Sequence, residues 1–524
     1  MKFITMRKIK KSISFFCLLT TVFLIVFLFQ SCKQEVKTTE KGVSLITVDS
    51  IEISSFFETY PEMKNYEKAY QEIYEHYDFH YIWFTEEEML SHGKSLYQKA
   101  KDLKKEGVFT VFPYQKEVDE IYEESLNDID AEFLMTGLYV FYMDHVYKGY
   151  DSDIIKDMGW LLPKKELNHT ALLDSVLSDD EWDENDSLMI SQYYDMRKEL
   201  HKYQEIEKEG GWEKIEFVDE KNLKPEDSSA VILQVRKRLY LTGELENDNE
   251  KNIYDEELKK GIYKFQKSHG FNQDAVISKK HLTALSVPVE DYIEKIALNM
   301  ERLRWIPTQI NDAKEFIFVN IPAYDLAYYR DGEIILSSDV VVGDVMTKTV
   351  IFAGEMSYLA FSPYWNIPKS IIEKEVKPGM EKDENYLEKR NMEWNDGQVR
   401  QKPGKTNSLG LVKFMFPNEN NIYLHDTPAK NLFDQENRAL SHGCIRVEKA
   451  RDLAISIMEE NKDWTPEKVD SAMNAGKEHI YDLKNEIPVY IGYFTAWVDE
   501  EGETNFYEDI YKRDNKLAKL LFNK

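Results

Sequence analysis

SHGCIRV, residues 441–447, is the stretch on which the reading of this chain turns. In an extended segment side chains alternate faces. Ile445 and Val447 then go to one side, and His442, Cys444 and Arg446 to the other. The same alternation runs through NIYLHD at 421–426, where Ile422 and Leu424 oppose Tyr423 and His425. Each segment has an apolar face for a core and a face that carries chemistry. If the two strands pair, His425 can face Cys444 across the sheet. A β-rich domain is expected around them, because the hydrophobic period changes to two at Glu315. EFIFVNIPAYDLAYYRDGEIILSSDVVVG (315–343) reads as strands with a hairpin turn at Asp331-Gly332. After the cysteine, EKARDLAISIMEEN (448–461) places Ala450, Leu453, Ala454 and Ile457 on one helix face, so the thiol sits at a strand-to-helix junction.

A thiol is a weak nucleophile until a neighbouring imidazole takes its proton. That imidazole needs an orienting acceptor on its other nitrogen. Asp426 offers two, its backbone carbonyl and its carboxylate. Gly443, lacking a side chain, lets backbone N–H groups near Cys444 approach a substrate carbonyl as an oxyanion hole. Two other readings compete. His425, His442 and Cys444 are all zinc-ligand types, although no Cys-x-x-Cys or His-x-x-x-His spacing accompanies them. A buried structural cysteine is the other.

The chain holds only three cysteines in 524 residues. It opens with a basic head (Lys2, Arg7, Lys8, Lys10, Lys11), an apolar run from about Ile13 to Phe29, and then Ser31-Cys32. This is the pattern of a secretory signal peptide over 1–31, and Cys32 resembles the acylated cysteine of a bacterial lipoprotein. The competing reading is an uncleaved single-pass anchor. If Cys17 leaves with the leader and Cys32 carries lipid, Cys444 is a lone thiol in an exported protein, and so a candidate reactive group.

The net charge of −28 argues against nucleic acid as a partner and against electrostatic docking on anionic lipid. Residues 32–50 read as a polar tether. Residues 51–225 are helical and acidic, with apolar residues at three- and four-residue spacing. His76, His80, His92 and His145 are scattered there and read as structural. Residues 226–290 contain three short amphipathic helices, at Val231–Leu241, Asp255–His269 and Ser278–Leu285. A linker helix over 291–312 stops at Pro307. A mostly-β domain fills 313–524, with a charged, irregular segment at about 372–408. The fold class is multidomain α+β.

At this point the sequence resembles a known family. His425, fifteen residues, then Ser-His-Gly-Cys is similar to the signature of the L,D-transpeptidases, cysteine enzymes that cross-link peptidoglycan. FSPYWNIPKSI (361–371), KPGKTNSLGLVKFMFPN (402–418), NIYLHDTPAKNLF (421–433), RALSHGCIRVEKA (438–450) and IPVYIGYFTAWVDEEG (487–502) resemble the long, multidomain subgroup. The resemblance implies a helical scaffold, a peptidoglycan-binding-like domain at 226–290, and a catalytic domain whose 372–408 insertion is a cap, unless it is only a surface loop. Ala275 and Ser278 stand where the binding-like domain usually has turn glycines, so it is either a glycan binder or a spacer.

By position, Cys444 is the nucleophile, His425 the general base and the Asp426 carbonyl the third member, with His442 and Gly443 shaping the oxyanion loop. Arg446 replaces the Asn of many members, as it does in the long subgroup. It either holds a substrate carboxylate or pairs with an acidic neighbour. Tyr423 and Trp365 line the cleft or belong to the core. The implied activity is formation of 3→3 cross-links from a tetrapeptide stem with release of D-Ala, by a protein exported to face the cell wall and anchored by lipid on Cys32. Its partners would be the donor and acceptor stems, and the mechanism requires no metal or organic cofactor. A zinc peptidase or amidase, and an inactive wall-binding lipoprotein, are the alternatives.

Overall fold

The computed structural model describes residues 42–164, 166–178, 188–217 and 222–522. The leader and Cys32 lie outside the described residues. The chain divides into two compact units. The first comprises residues 42–98, 113–140 and 169–178; the second takes residues 99–112, 141–168 and those from 188 onward. Residues 51–225 therefore contribute to both.

The first unit is helical and rich in buried rings: Phe56, Phe57, Tyr70, Tyr74 and Phe133 pack edge to face or tilted. Its helix Ile129–Met143 is apolar nearly all round, as a helix at the centre of a core must be. That helix carries Glu132, which is fully buried. The carboxylate accepts the N–H groups of Ile82 (2.6 Å) and Trp83 (3.0 Å) and the Tyr74 hydroxyl (3.0 Å), tying an irregular segment to the helix. Of the scattered histidines, three make local bonds, His80 to the Tyr77 carbonyl and His92 to the Ile82 carbonyl here and His145 to the Phe141 carbonyl in the second unit, while His76 reaches Asp174 at 2.9 Å.

In the second unit the three predicted short helices run Ala230–Thr242, Glu256–Ser268 and Lys279–Leu285, each within two residues of expectation. Ser229 and Asp255 cap the first two, and Ser278 with His281 forms a capping box on the third. Ala275 adopts a left-handed φ of 57° without being glycine; its carbonyl is held by the Tyr254 hydroxyl at 2.8 Å. The linker helix spans Val289–Arg304.

The strands, in chain order, are β1 Trp160–Leu161, β2 Glu315–Asn320, β3 Asp325–Arg330, β4 Glu333–Gly343, β5 Ile351–Phe361, β6 Trp365–Asn366 and β7 Met392–Asn395. They continue with β8 Gln398–Gln401, β9 Val412–Met415, β10 Leu424–His425, β11 Ala439–Ser441, β12 Ile445–Val447 and β13 His479–Gly492. The main sheet has the order β1-β5-β13-β2-β3-β4-β12-β10-β9, and β9 also pairs β5, so the path from β5 to β9 closes on itself. The β3–β4 turn sits at Asp331 (φ 51°) and Gly332 (φ 84°), the left-handed pair that a two-residue hairpin of this twist requires.

The segment at 372–408 is folded rather than irregular. β6, β8 and β7 form a separate sheet, and Ile367, Ile372, Val376 and Val399 make a small apolar core of their own.

Candidate active site

β10 and β12 pair in parallel, with Leu424 opposite Ile445 and His425 opposite Arg446. Leu424, Ile445 and Val447 are fully buried, which holds the two apolar faces to the core as the alternation predicts. The register is offset by two residues from a direct His425–Cys444 pairing. The neighbour of Cys444 is Tyr423, whose carbonyl accepts the Ile445 N–H at 3.1 Å, while His425 lies beside Arg446. His425 and Cys444 thus share a face diagonally, without a hydrogen bond between them. The cause is the parallel pairing, since period two fixes the face but not the offset. The Cys444 thiol donates instead to the Asn421 carbonyl, at 3.7 Å.

His425 is buried, and its Nδ1–H donates to the Asp426 carbonyl at 2.5 Å. Of the two Asp426 acceptors, the carbonyl takes this bond. The carboxylate is occupied elsewhere, taking the Leu411 N–H on one oxygen and Lys430 Nζ on the other, both at 2.9 Å. Gly410 makes that possible: its φ is +62°, and a Cβ there would lie 2.3 Å from Asp426 Oδ2. Burial first, then the charges of Arg446 and Lys413, push His425 down to about 3, against the opposing pull of the Asp426 bond. The imidazole is therefore neutral, with Nε2 as its unprotonated nitrogen.

Lys413 on β9 was not singled out from the sequence. It sits opposite His425, with its ammonium 3.8 Å from the Tyr423 ring centroid. The signal was present in the alternation of VKFM, whose Val412 and Phe414 are buried, leaving Lys413 on the chemical face. Burial lowers its pKa, while Cys444 raises it. Arg446 has no ion pair with an acidic neighbour among the described residues, and its buried Nε has no partner at all. Burial raises the Cys444 pKa; Tyr423, Lys413 and Arg446 pull it back down.

Gly443 has φ +116°, and a Cβ would be no closer than 3.6 Å to its neighbours, so backbone conformation rather than crowding favours glycine. Its N–H is taken by Ser441 Oγ at 3.1 Å, and its carbonyl by the Thr349 hydroxyl at 2.9 Å. Thr347 Oγ1 likewise donates to the Ser441 carbonyl at 2.9 Å. These two threonines brace the loop that carries Cys444, and the local sequence holds no signal for them. His442 turns away from Cys444 toward the inserted segment, with Nε2 3.1 Å from Glu375 Oε1. Trp365 is half-buried against that segment's core and also interacts with Tyr423. Among the described residues no three His, Cys, Asp or Glu converge as metal ligands.

The family model for the L,D-transpeptidase catalytic domain matches residues 314–469, and a model described as a scaffold domain matches residues 68–200. A Haemophilus influenzae protein provisionally named an L,D-transpeptidase is 37% identical over 245 residues, which is 43% of this chain and 49% of that one. The chain thus spans about half the length of that relative. An L,D-transpeptidase structure from Stackebrandtia nassauensis is 13% identical, covering 52% of this chain and 97% of that one, with a TM-score of 0.22. One from Mycobacterium smegmatis is 12% identical over 34% and 59%, with a TM-score of 0.21. At such scores neither carries an argument, and the assignment rests on the sequence matches. Residues 314–469 are an L,D-transpeptidase catalytic domain, and residues 68–200 a scaffold domain.

Proposed function

We propose that this protein cross-links peptidoglycan through a Cys444 acyl-enzyme. What carries the reading is the neutral His425, its Nδ1–H bound to the Asp426 carbonyl and its Nε2 on the same sheet face as the thiol. Nε2 takes the thiol proton as Sγ attacks the carbonyl between the third stem residue and the terminal D-Ala. The Cys444 N–H meets the developing oxyanion, because that of Gly443 is already bonded to Ser441. Lys413 and Arg446 favour the thiolate. The imidazolium then protonates the departing D-Ala nitrogen, leaving a thioester. An amine on another stem's third residue attacks it, loses its proton to His425, and forms the 3→3 amide as the thiolate departs. The inserted segment, touching the catalytic loop through Glu375, limits water at the thioester. Export and lipid attachment at Cys32 belong to the same proposal, since the substrate lies outside the cytoplasm.

Intact-protein mass spectrometry of the full chain with and without a carbapenem, beside Cys444→Ala, tests this. One drug-sized adduct on the parent and none on the variant is expected. A folded parent that gains no adduct sinks the reading. Activity lost to a chelator but not to a thiol alkylator would establish the zinc alternative instead.

A further inference from the structure

Cys444 follows a strand that its neighbours in the sheet hold loosely. β11 spans Ala439–Ser441, and its parallel pairing with β4 shifts register between those two residues. A strand so short, with an interrupted ladder, takes its position from what holds its ends. At the C-terminal end Ser441 Oγ accepts the Gly443 N–H at 3.1 Å and donates to the Cys444 carbonyl at 2.5 Å. The Ser441 hydroxyl thus brackets the Gly443–Cys444 peptide, whose N–H is that of Cys444. At the N-terminal end Asn437 Oδ1 accepts the Ala439 N–H at 3.0 Å, and Arg438 reaches Asp339 on β4 at 2.9 Å.

Glu436, one position earlier, is tied to a different part of the second unit. Its carboxylate takes Lys280 Nζ on both oxygens, at 2.6 and 2.7 Å, and the Asn272 N–H at 2.9 Å. Lys280 belongs to the third short helix, Lys279–Leu285, and Asn272 to the turn that precedes it. That turn is itself fixed. The buried Gln266 side chain donates to Asp274 at 2.8 Å and accepts the Ala275 N–H at 3.1 Å. Around Glu436 the loop is open to water: Asp434, Gln435 and Asn437 are exposed, while Glu436 is half-buried. One acid drawn out of an exposed loop onto two anchored points of another domain is a mechanical joint. A partly exposed ion pair adds little to global stability. What this one fixes is the position of the chain entering β11, and small displacements at a reacting centre are costly in rate.

We infer that the Glu436–Lys280 pair is a positioning joint, through which the three-helix domain orients the loop that carries Cys444 and aims the Cys444 N–H at the oxyanion. The oxyanion part rests on the function proposed above; the mechanical coupling does not. The full-length parent, Lys280→Ala and Lys280→Arg would be compared by hydrogen–deuterium exchange and by the rates of carbapenem acylation and iodoacetamide alkylation of Cys444. In Lys280→Ala, exchange at Ala439 and Gly443 is expected to quicken about tenfold, with β2 and the melting temperature unchanged. Carbapenem acylation should slow about tenfold. Alkylation, which develops no oxyanion, should stay within about twofold of the parent. Lys280→Arg, which keeps the ion pair, should match the parent in all three. Unchanged exchange at Ala439 and Gly443 overturns the coupling, whatever the carbapenem does. Quickened exchange with acylation at the parent rate, or with acylation and alkylation slowed alike, overturns the positioning role. Quickened exchange in a protein whose parent gains no carbapenem adduct upholds the joint and rejects transpeptidation alone.

Discussion

Glu132 in the scaffold unit and His425 in the β domain are both removed from water, yet they do opposite work. Burial raises the Glu132 carboxyl to about 7, but its oxygens are surrounded by backbone N–H groups and a tyrosine hydroxyl. Burial and two cations lower His425 to about 3, and among the described residues only one of its nitrogens is engaged. A buried polar group with every valence satisfied organises the chain around it. One with a valence left over, beside a nucleophile, is available for proton transfer.

The comparison breaks most sharply at His425. His425→Ala is expected to slow carbapenem acylation of Cys444 by about 10³-fold, roughly 4 kcal/mol of barrier, with a modest change in stability. Rapid-quench mass spectrometry measures it, and a rate within tenfold of the parent would remove the histidine from the mechanism. Glu132→Ala should show the converse. It strands the donors of Ile82, Trp83 and Tyr74 and costs about 3 kcal/mol in denaturant unfolding, while the folded fraction acylates at the parent rate.

Lys413→Met tests the field between these extremes. Loss of that cation moves the Cys444 pKa upward and slows iodoacetamide alkylation at pH 7 by about tenfold, roughly 1.4 kcal/mol. An unchanged pH profile of alkylation would assign Lys413 to packing alone. A further effect is expected on stability against pH. His92, His269 and His425 are lowered to about 4, 3 and 3 from an ordinary 6.5. The unfolded chain therefore binds more protons below about 6.5, and their contribution is lost as pH falls from there. Glu132, raised from 4.5 to about 7, has the opposite sign: its contribution is present below 4.5 and is lost as pH rises through 7. The denaturation midpoint should fall from pH 7 to pH 5, and fall more steeply in Glu132→Gln, where the opposing contribution is gone.

Much of the site was legible in local pattern. The alternation at 421–426 and 441–447 correctly sorted core-facing from chemical residues, and the Asp331-Gly332 turn and the three short helices lie where their sequences place them. The direct facing of His425 and Cys444 did not hold, because strand offset depends on how β10 meets β12 rather than on either strand alone. Thr347 and Thr349 were not legible for a related reason. Their roles come from contacts with Ser441 and Gly443, which are distant in sequence.

What the sequence determined by itself was whatever depends on neighbours within a turn or two: periodicity, caps, the hairpin, and the residue types gathered around one cysteine. Tertiary structure supplied the physical reason that the Asp426 carbonyl rather than its carboxylate receives His425: Leu411 and Lys430 occupy the carboxylate. It alone decided that, among the described residues, Arg446 goes without an acidic partner and that residues 372–408 fold around their own core. Those outcomes are set by long-range pairing and by competition for buried hydrogen bonds, which no short stretch of chain encodes.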